Sequence, residues 1–297
     1  MKNTIFTGAG VAIITPMLED GSVDYAGLAK NIDFQIENDT DAIIICGTTG
    51  ESSTLDDKEH RECIRFAVEH THNRIPVIAG TGSNDTKYAI ELSQEAQELG
   101  ANGLLIVTPY YNKTTQRGLV AHYNAIADSV DLPIILYNVP SRTGVNIAPQ
   151  TIVDLCRDVP NIVGVKEASG NFSLLAHTRY LCPDDFYVWS GNDDQVVPMM
   201  ALGAKGVISV VSNIAPEVMV KMSHLCLDND IEAASKLQIQ YMDLIDALFC
   251  EVNPIPVKTA MNLMGMEAGP LRLPLCDMSE KNLAILRGSM ERMGLLK

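Results

Sequence analysis

A closed (β/α)₈ TIM barrel followed by an all-helical C-terminal extension is the α/β fold this sequence predicts. Three observations predict it. Eight short runs rich in β-branched residues recur along the chain, amphipathic helical patterns separate them, and after the eighth run the strands stop. Runs that are apolar on both faces belong to a parallel sheet covered on both sides, and eight βα units in unbroken series close into a barrel. An open doubly wound sheet is the competing architecture. It would place G-x-G-x-x-G after the first strand, whereas the glycines of GAGVAIIT read as standing ahead of theirs.

The first strand is read at VAIIT (11–15) and the second at AIIIC (42–46), which leads through GTTGES to the helical pattern DDKEHRECIRFAVEH (56–70). PVIAG (76–80) precedes KYAIELSQEAQELG (87–100), LLIVT (104–108) precedes LVAHYNAIADSV (119–130), and PIILY (133–137) precedes APQTIVDLCRD (148–158). IVGVK (162–166), YVWSG (187–191) and GVISV (206–210) complete the set. Beyond them IEAASKLQIQYMDLIDALFC (231–250), PIPVKTAMNLMG (254–265) and SEKNLAILRGSMERMG (279–294) have helical spacing only. The expected division is a catalytic barrel over 1–224 and a helical domain over 225–297.

With 297 residues the chain is long enough for such a barrel plus an appendage. A formal charge of −15 and the lack of any Lys/Arg cluster argue against nucleic acid or an anionic membrane as partner, since both need a basic footprint. Seven cysteines, odd in number and without a C-x-x-C pair, suggest neither a disulfide framework nor a zinc knuckle and fit a reducing cytoplasm. The start MKNTIFTGAGVAIITPM lacks a signal-peptide pattern, and no apolar run approaches the ~18 residues of a membrane span. The six histidines form no H-E-x-x-H or comparable set, so no metal is expected.

In a barrel of this kind the chemistry sits where strands give way to loops. There the sequence offers GTTGES, TPYYN, YNVPSRTG, KEASGN and SGNDD. Lys166 is the only lysine that ends an apolar run. Desolvation in the barrel mouth would lower its pKa and leave an amine able to attack a carbonyl; the bland alternative is an ion pair with Glu167 or another carboxylate. Tyr137 ends the preceding run and could relay protons, or simply plug the barrel top. The amides of GTTGES suit an anion such as a carboxylate, and so does the forked guanidinium of Arg142, although a single loop arginine is by default solvated.

Taken together, GTTGE, YYNKTTQRG, YNVPSRTG, GVKEASG and GVISV, with NPIPVKTAMNLMG and LRLPL in the extension, closely resemble the dihydrodipicolinate synthase family. The resemblance spans essentially the whole chain. It implies a pyruvate-dependent, Schiff-base-forming lyase of lysine (diaminopimelate) biosynthesis that condenses pyruvate with L-aspartate 4-semialdehyde, without metal or organic cofactor. It implies that Lys166 forms the imine, that Tyr137, Thr49 and Tyr111 relay protons, and that Thr48 and Thr49 hold the pyruvate carboxylate. Arg142 would hold the semialdehyde carboxylate, and Gly191 and the backbone of Ile208 would line the pocket.

The resemblance further implies a homo-oligomer, usually a dimer of dimers, with Tyr111 crossing into a neighbouring site. The sialic-acid lyases of the same superfamily share the lysine and tyrosine; Arg142 speaks against them. A catalytically silent binding barrel would be marked by loss of Lys166 or Tyr137, and both are present. In lysine-inhibited relatives the effector's holders match Ser52, His60, Asn84 and Tyr110. Asp57 and Tyr88 depart from that pattern, which implies weak or absent inhibition by L-lysine.

Overall fold

The computed structural model describes Lys2 and residues 4–296. Eight parallel strands close into a barrel: β1 (Gly8–Ala12), β2 (Ala42–Ile45), β3 (Val77–Gly80), β4 (Gly103–Val107), β5 (Ile134–Asn138), β6 (Ile162–Glu167), β7 (Tyr187–Ser190) and β8 (Gly206–Ser209). Each pairs with the next in the chain, and β8 returns to β1. The helices are α1 (Tyr25–Glu37), α2 (Asp57–Thr71), α3 (Thr86–Glu98), α4 (Gln116–Ala127), α5 (Pro140–Thr143), α6 (Pro149–Asp158), α7 (Phe172–Leu181), α8 (Val196–Ala201) and α9 (Pro216–Leu227) around the barrel. Then come α10 (Ile231–Leu248), α11 (Ile255–Leu263) and α12 (Glu280–Arg292), with no strand among the described residues after β8. Helix α9 returns the eighth unit and runs through residue 225, so the extension proper is α10 to α12.

The helices begin where short polar side chains can satisfy the unpaired first-turn amides. Asp24 accepts from Gly27 N at α1, Asp56 and Glu59 form a reciprocal capping box at α2, and Thr115 caps α4. At α6, α9 and α11, where no side chain caps, a proline stands in the first two helical positions.

One element departs from the sequence reading. Strand β1 starts at Gly8, three residues before VAIIT, so Gly8 and Gly10 belong to the strand and not to its approach. Glycine inside a strand normally signals weakness or close approach, and here it is close approach. A Cβ on Gly10 would lie 2.7 Å from Ile44 Cδ1 and 3.0 Å from the Phe6 ring, and Gly8 stands opposite Gly206 in the register of β1 and β8.

Apolar side chains form two layers. Inside the barrel Phe6, Ile44, Ile78, Leu105, Ile135, Trp189 and Ile208 pack together, with Phe6 and Trp189 stacked at 5.2 Å between centroids. Between barrel and helices Leu28, Ile32, Ile64, Leu119, Tyr123 and Leu155 form the larger layer. A filled interior leaves space for a ligand only above the last packed layer, at the strands' C-terminal ends.

Candidate active site

Strands β5 and β6 pair so that Tyr137 and Lys166 stand directly side by side. Both therefore point the same way from the sheet, into the barrel mouth. Lys166 is 6 % exposed, and its Nζ lies 4.4 Å from the centroid of the Tyr137 ring. That is cation–π distance, and it is the contact that holds the amine. Lys166 enters no salt bridge among the described residues.

The ion pair with Glu167 does not form. Glu167 is the next residue on the strand and faces the other way; its carboxylate accepts from the Asn138 side chain at 2.9 Å and from the Ser169 amide at 2.6 Å. Burial pushes the Glu167 carboxyl above its usual range. Asp193, also buried, accepts from the Val210 and Val211 amides at 3.0 and 3.1 Å. Burial pushes its carboxyl up as well, against these bonds and the Lys166 charge.

A cavity of about 180 Å³ opens above Lys166. Thr48, Thr49, Tyr137, Arg142, Lys166 and Gly191 all line it, so six of the eight residues expected at the site meet there. Gly191 borders the lysine stem: a Cβ would come within 2.7 Å of Ala168 Cβ and 3.2 Å of Lys166 Cε. A side chain at that point would fill the space over the amine.

Thr48 and Thr49 sit in the turn after β2. Among the described residues neither amide donates to a protein acceptor. The Thr49 hydroxyl accepts from the Asn253 side chain at 3.0 Å, and Arg142 Nη2 donates to the Asn253 carbonyl at 3.3 Å. This arrangement pairs a lysine amine with two unused amides and, at the mouth, a guanidinium: donors for two anionic groups around one nucleophile.

Two expected residues are not brought into the cavity. Tyr111 is 91 % exposed, in the loop after β4, with a left-handed φ of 68°. Ile208 is buried in the barrel interior, and it is Val210, two residues on, that lines the cavity. Asn253 and Phe249 line it without having been singled out from the sequence. The polar residue of NPIPVK was the available signal for Asn253; Phe249 ends a helical pattern and carried none.

A second cavity of about 440 Å³ adjoins the first across Thr48, Tyr137, Val139 and Arg142. Ser52, His60, Tyr88 and Tyr110 line its far side. Among the described residues no cluster of three or more His, Cys, Asp or Glu could hold a metal ion, and no helix is long and apolar enough to cross a membrane.

The sequence profile of the Dihydrodipicolinate synthetase family matches residues 5–292. The chain is 56 % identical over 292 residues to the 4-hydroxy-tetrahydrodipicolinate synthase of Lachnoclostridium phytofermentans, covering 98 % of this chain and 99 % of that one. It is 54 % identical to the enzyme of the same name from Acetivibrio thermocellus, with 100 % of both chains covered. The crystal structure of dihydrodipicolinate synthase from Aquifex aeolicus superposes with a TM-score of 0.96 at 46 % identity, covering 98 % of this chain and 99 % of that one.

Proposed function

The chain belongs to the dihydrodipicolinate synthetase family and has the activity of a 4-hydroxy-tetrahydrodipicolinate synthase, and from that premise we propose how its own residues divide the reaction. The observation that carries the reading is a buried lysine without a carboxylate partner among the described residues, its Nζ over the Tyr137 ring, in a cavity also lined by Thr48 and Thr49, whose amides donate to no protein acceptor among the described residues.

Pyruvate enters with its carboxylate on the Thr48 and Thr49 amides, which sets its carbonyl carbon over Lys166. The amine adds to that carbon, and loss of water gives the imine. The imine withdraws electrons, so a methyl proton leaves and the enamine becomes a carbon nucleophile. It attacks the aldehyde carbon of L-aspartate 4-semialdehyde, whose carboxylate Arg142 holds. The amine of that second substrate then adds to the imine carbon, closes the ring and releases Lys166. One water is lost overall.

Proton transfers at each stage run through the Tyr137 hydroxyl and Thr49. Tyr111 completes the relay from a second copy of the chain, which accounts for a tyrosine held outside its own chain's cavity. We take the working enzyme to be a homo-oligomer, a dimer of dimers, in the cytoplasm, where its seven free cysteines remain reduced.

Borohydride reduction in the presence of pyruvate, followed by peptide mapping, tests this reading. The expected product is a single modified residue, Lys166. Lys166→Arg should fall below about one-thousandth of the wild-type rate, an added barrier of roughly 4 kcal/mol, because an always-protonated guanidinium cannot form the imine. Modification at another lysine, or none, overturns it.

A further inference from the structure

Between the helical extension and the barrel lies an ion pair sealed from solvent. The side chains of Lys258, on α11, and Glu51, after the turn that carries Thr48 and Thr49, are 1 % and 0 % exposed, and Lys258 Nζ donates to Glu51 Oε1 at 2.8 Å. The same ammonium donates to the Pro270 carbonyl at 2.6 Å and to the Thr15 carbonyl at 3.3 Å. The other Glu51 oxygen accepts from the Arg272 amide at 3.1 Å. Each of the three ammonium protons thus has an acceptor.

Stability alone is a poor account of such a pair. Two buried charges are costly to desolvate, and apolar side chains of similar volume often serve a core as well or better. What the pair holds is a particular backbone. Glu51 has φ 52° and ψ 33°, a left-handed conformation that a residue with a Cβ rarely adopts without outside restraint.

The turn also closes on itself. The Glu51 amide donates to the Thr48 carbonyl at 3.2 Å and the Gly50 amide to the Gly47 carbonyl at 3.1 Å. From outside, the Thr15 hydroxyl fixes the Gly50 carbonyl at 2.7 Å. The two threonines that line the cavity therefore stand on a turn anchored at its C-terminal end by Glu51, and Lys258 is that anchor's counter-charge.

We propose that Lys258 is a positioning residue for pyruvate. Through Glu51 it holds residues 47–51 in the conformation that presents the Thr48 and Thr49 amides to the substrate carboxylate. By this route the extension, which supplies no reacting atom, sets the affinity for the first substrate. The inference rests on the roles given above to Lys166 and the two threonines.

The test uses the full-length enzyme with Glu51→Gln and with the double variant Lys258→Met/Glu51→Gln, which leaves no lone buried charge. Folding is checked by circular dichroism. The readouts are the pyruvate concentration that half-saturates borohydride trapping at Lys166, and kcat and KM for each substrate. In the folded double variant, half-trapping and the pyruvate KM should rise at least about tenfold, while kcat at saturating pyruvate stays within about threefold and the semialdehyde KM is unchanged. Glu51→Gln keeps a carbonyl for Lys258 and should shift the same way by less.

Unchanged half-trapping in folded variants, whatever their melting temperature, reduces the pair to packing and overturns the proposal. So does a lowered kcat with normal trapping, which would place the defect after imine formation. If the double variant does not fold, Glu51→Gln decides by the same criteria. Wild-type enzyme that is not trapped at Lys166 overturns the site assignment itself, and is told apart because no variant is then needed to see it.

Discussion

The side-chain amide of Asn253 donates to the hydroxyl of Thr49 at 3.0 Å, across 204 residues of chain. Both residues are buried, and the carbonyl of the same asparagine accepts from Arg142. Asn253, just ahead of α11, thus touches both Thr49 and Arg142, two of the residues assigned to substrate carboxylates. Asn253→Ala removes a neutral hydrogen bond, an effect of about 0.5–1.5 kcal/mol, so kcat/KM for pyruvate should fall roughly three- to tenfold. A double-mutant cycle with Thr49→Val measures the coupling directly; additivity within about 0.3 kcal/mol would show that the contact does not align Thr49.

Arg142 is exposed where it lines the cavity, whereas Lys166 is buried with its Nζ over the Tyr137 ring. Removing the guanidinium should therefore separate the two substrates. Arg142→Ala should lose a charge-assisted contact of about 1.5–3 kcal/mol, seen as a drop of roughly 10- to 150-fold in kcat/KM for the semialdehyde. Borohydride trapping of pyruvate should stay near wild type. Equal losses in trapping and turnover would assign Arg142 to the first substrate instead.

Among the described residues Tyr111 is the most exposed large apolar side chain, and it lies outside its own chain's cavity. If it serves a neighbouring copy, two different inactive subunits should repair each other. Tyr111→Phe and Lys166→Arg enzymes, each nearly inactive, should regain activity when mixed under conditions that exchange subunits. In the mixed pair one site has an intact lysine and receives an intact tyrosine. Mixtures no more active than the sum of their parts would place Tyr111 in its own subunit's reaction or outside the relay.

What could be read from the sequence, and what could not, divides by the range of the interactions. The eight strands are legible because apolar β-branched runs recur at local spacing, and the boundaries fail mainly at β1, where Gly8 and Gly10 imitate a break. Lys166 and Tyr137 are legible because each ends such a run. Asn253 and Lys258 are not, since their partners Thr49 and Glu51 lie more than two hundred residues away and no local pattern marks the pairing. Ile208 was expected at the site through its backbone, and its side chain belongs to the barrel's packed interior.

Arg272 ties the extension to α2. Its guanidinium donates to both Glu59 carboxylate oxygens, at 2.5 and 2.6 Å, and to the carbonyls of Gly21 and Thr54. The Glu59 carboxyl is held below its ordinary value of 4.5, first by this hydrogen bonding and against partial desolvation. A carboxyl depressed in the folded state adds stability that is complete above its unfolded pKa and is lost as pH falls through the folded one. Glu59→Gln should thus be less stable than wild type by about 1–2 kcal/mol at pH 7, with the difference closing progressively below pH 4.5. Urea midpoints measured from pH 7 downward check this; a difference that persists at the acid end would trace to packing and not to charge.

The two positions that depart from lysine-inhibited relatives are bonded to each other. Tyr88 donates its hydroxyl to the Asp57 carboxylate at 2.5 Å. Burial, reinforced by that bond, pushes the Tyr88 phenol up to about 12, so it stays neutral and offers no negative charge. Asp57 is already engaged, and it does not line the 440 Å³ cavity bounded by Ser52, His60, Tyr88 and Tyr110. No described residue lining that cavity carries a carboxylate. An amino acid entering it would bring an ammonium group out of water without a counter-ion, and an uncompensated charge in a partly closed site costs more than its contacts return. L-Lysine should consequently inhibit weakly or not at all. Initial rates at fixed pyruvate against rising lysine decide the matter: half-inhibition below about 1 mM, a binding free energy of roughly −4 kcal/mol, would show that the Tyr88–Asp57 pair opens to admit the cation.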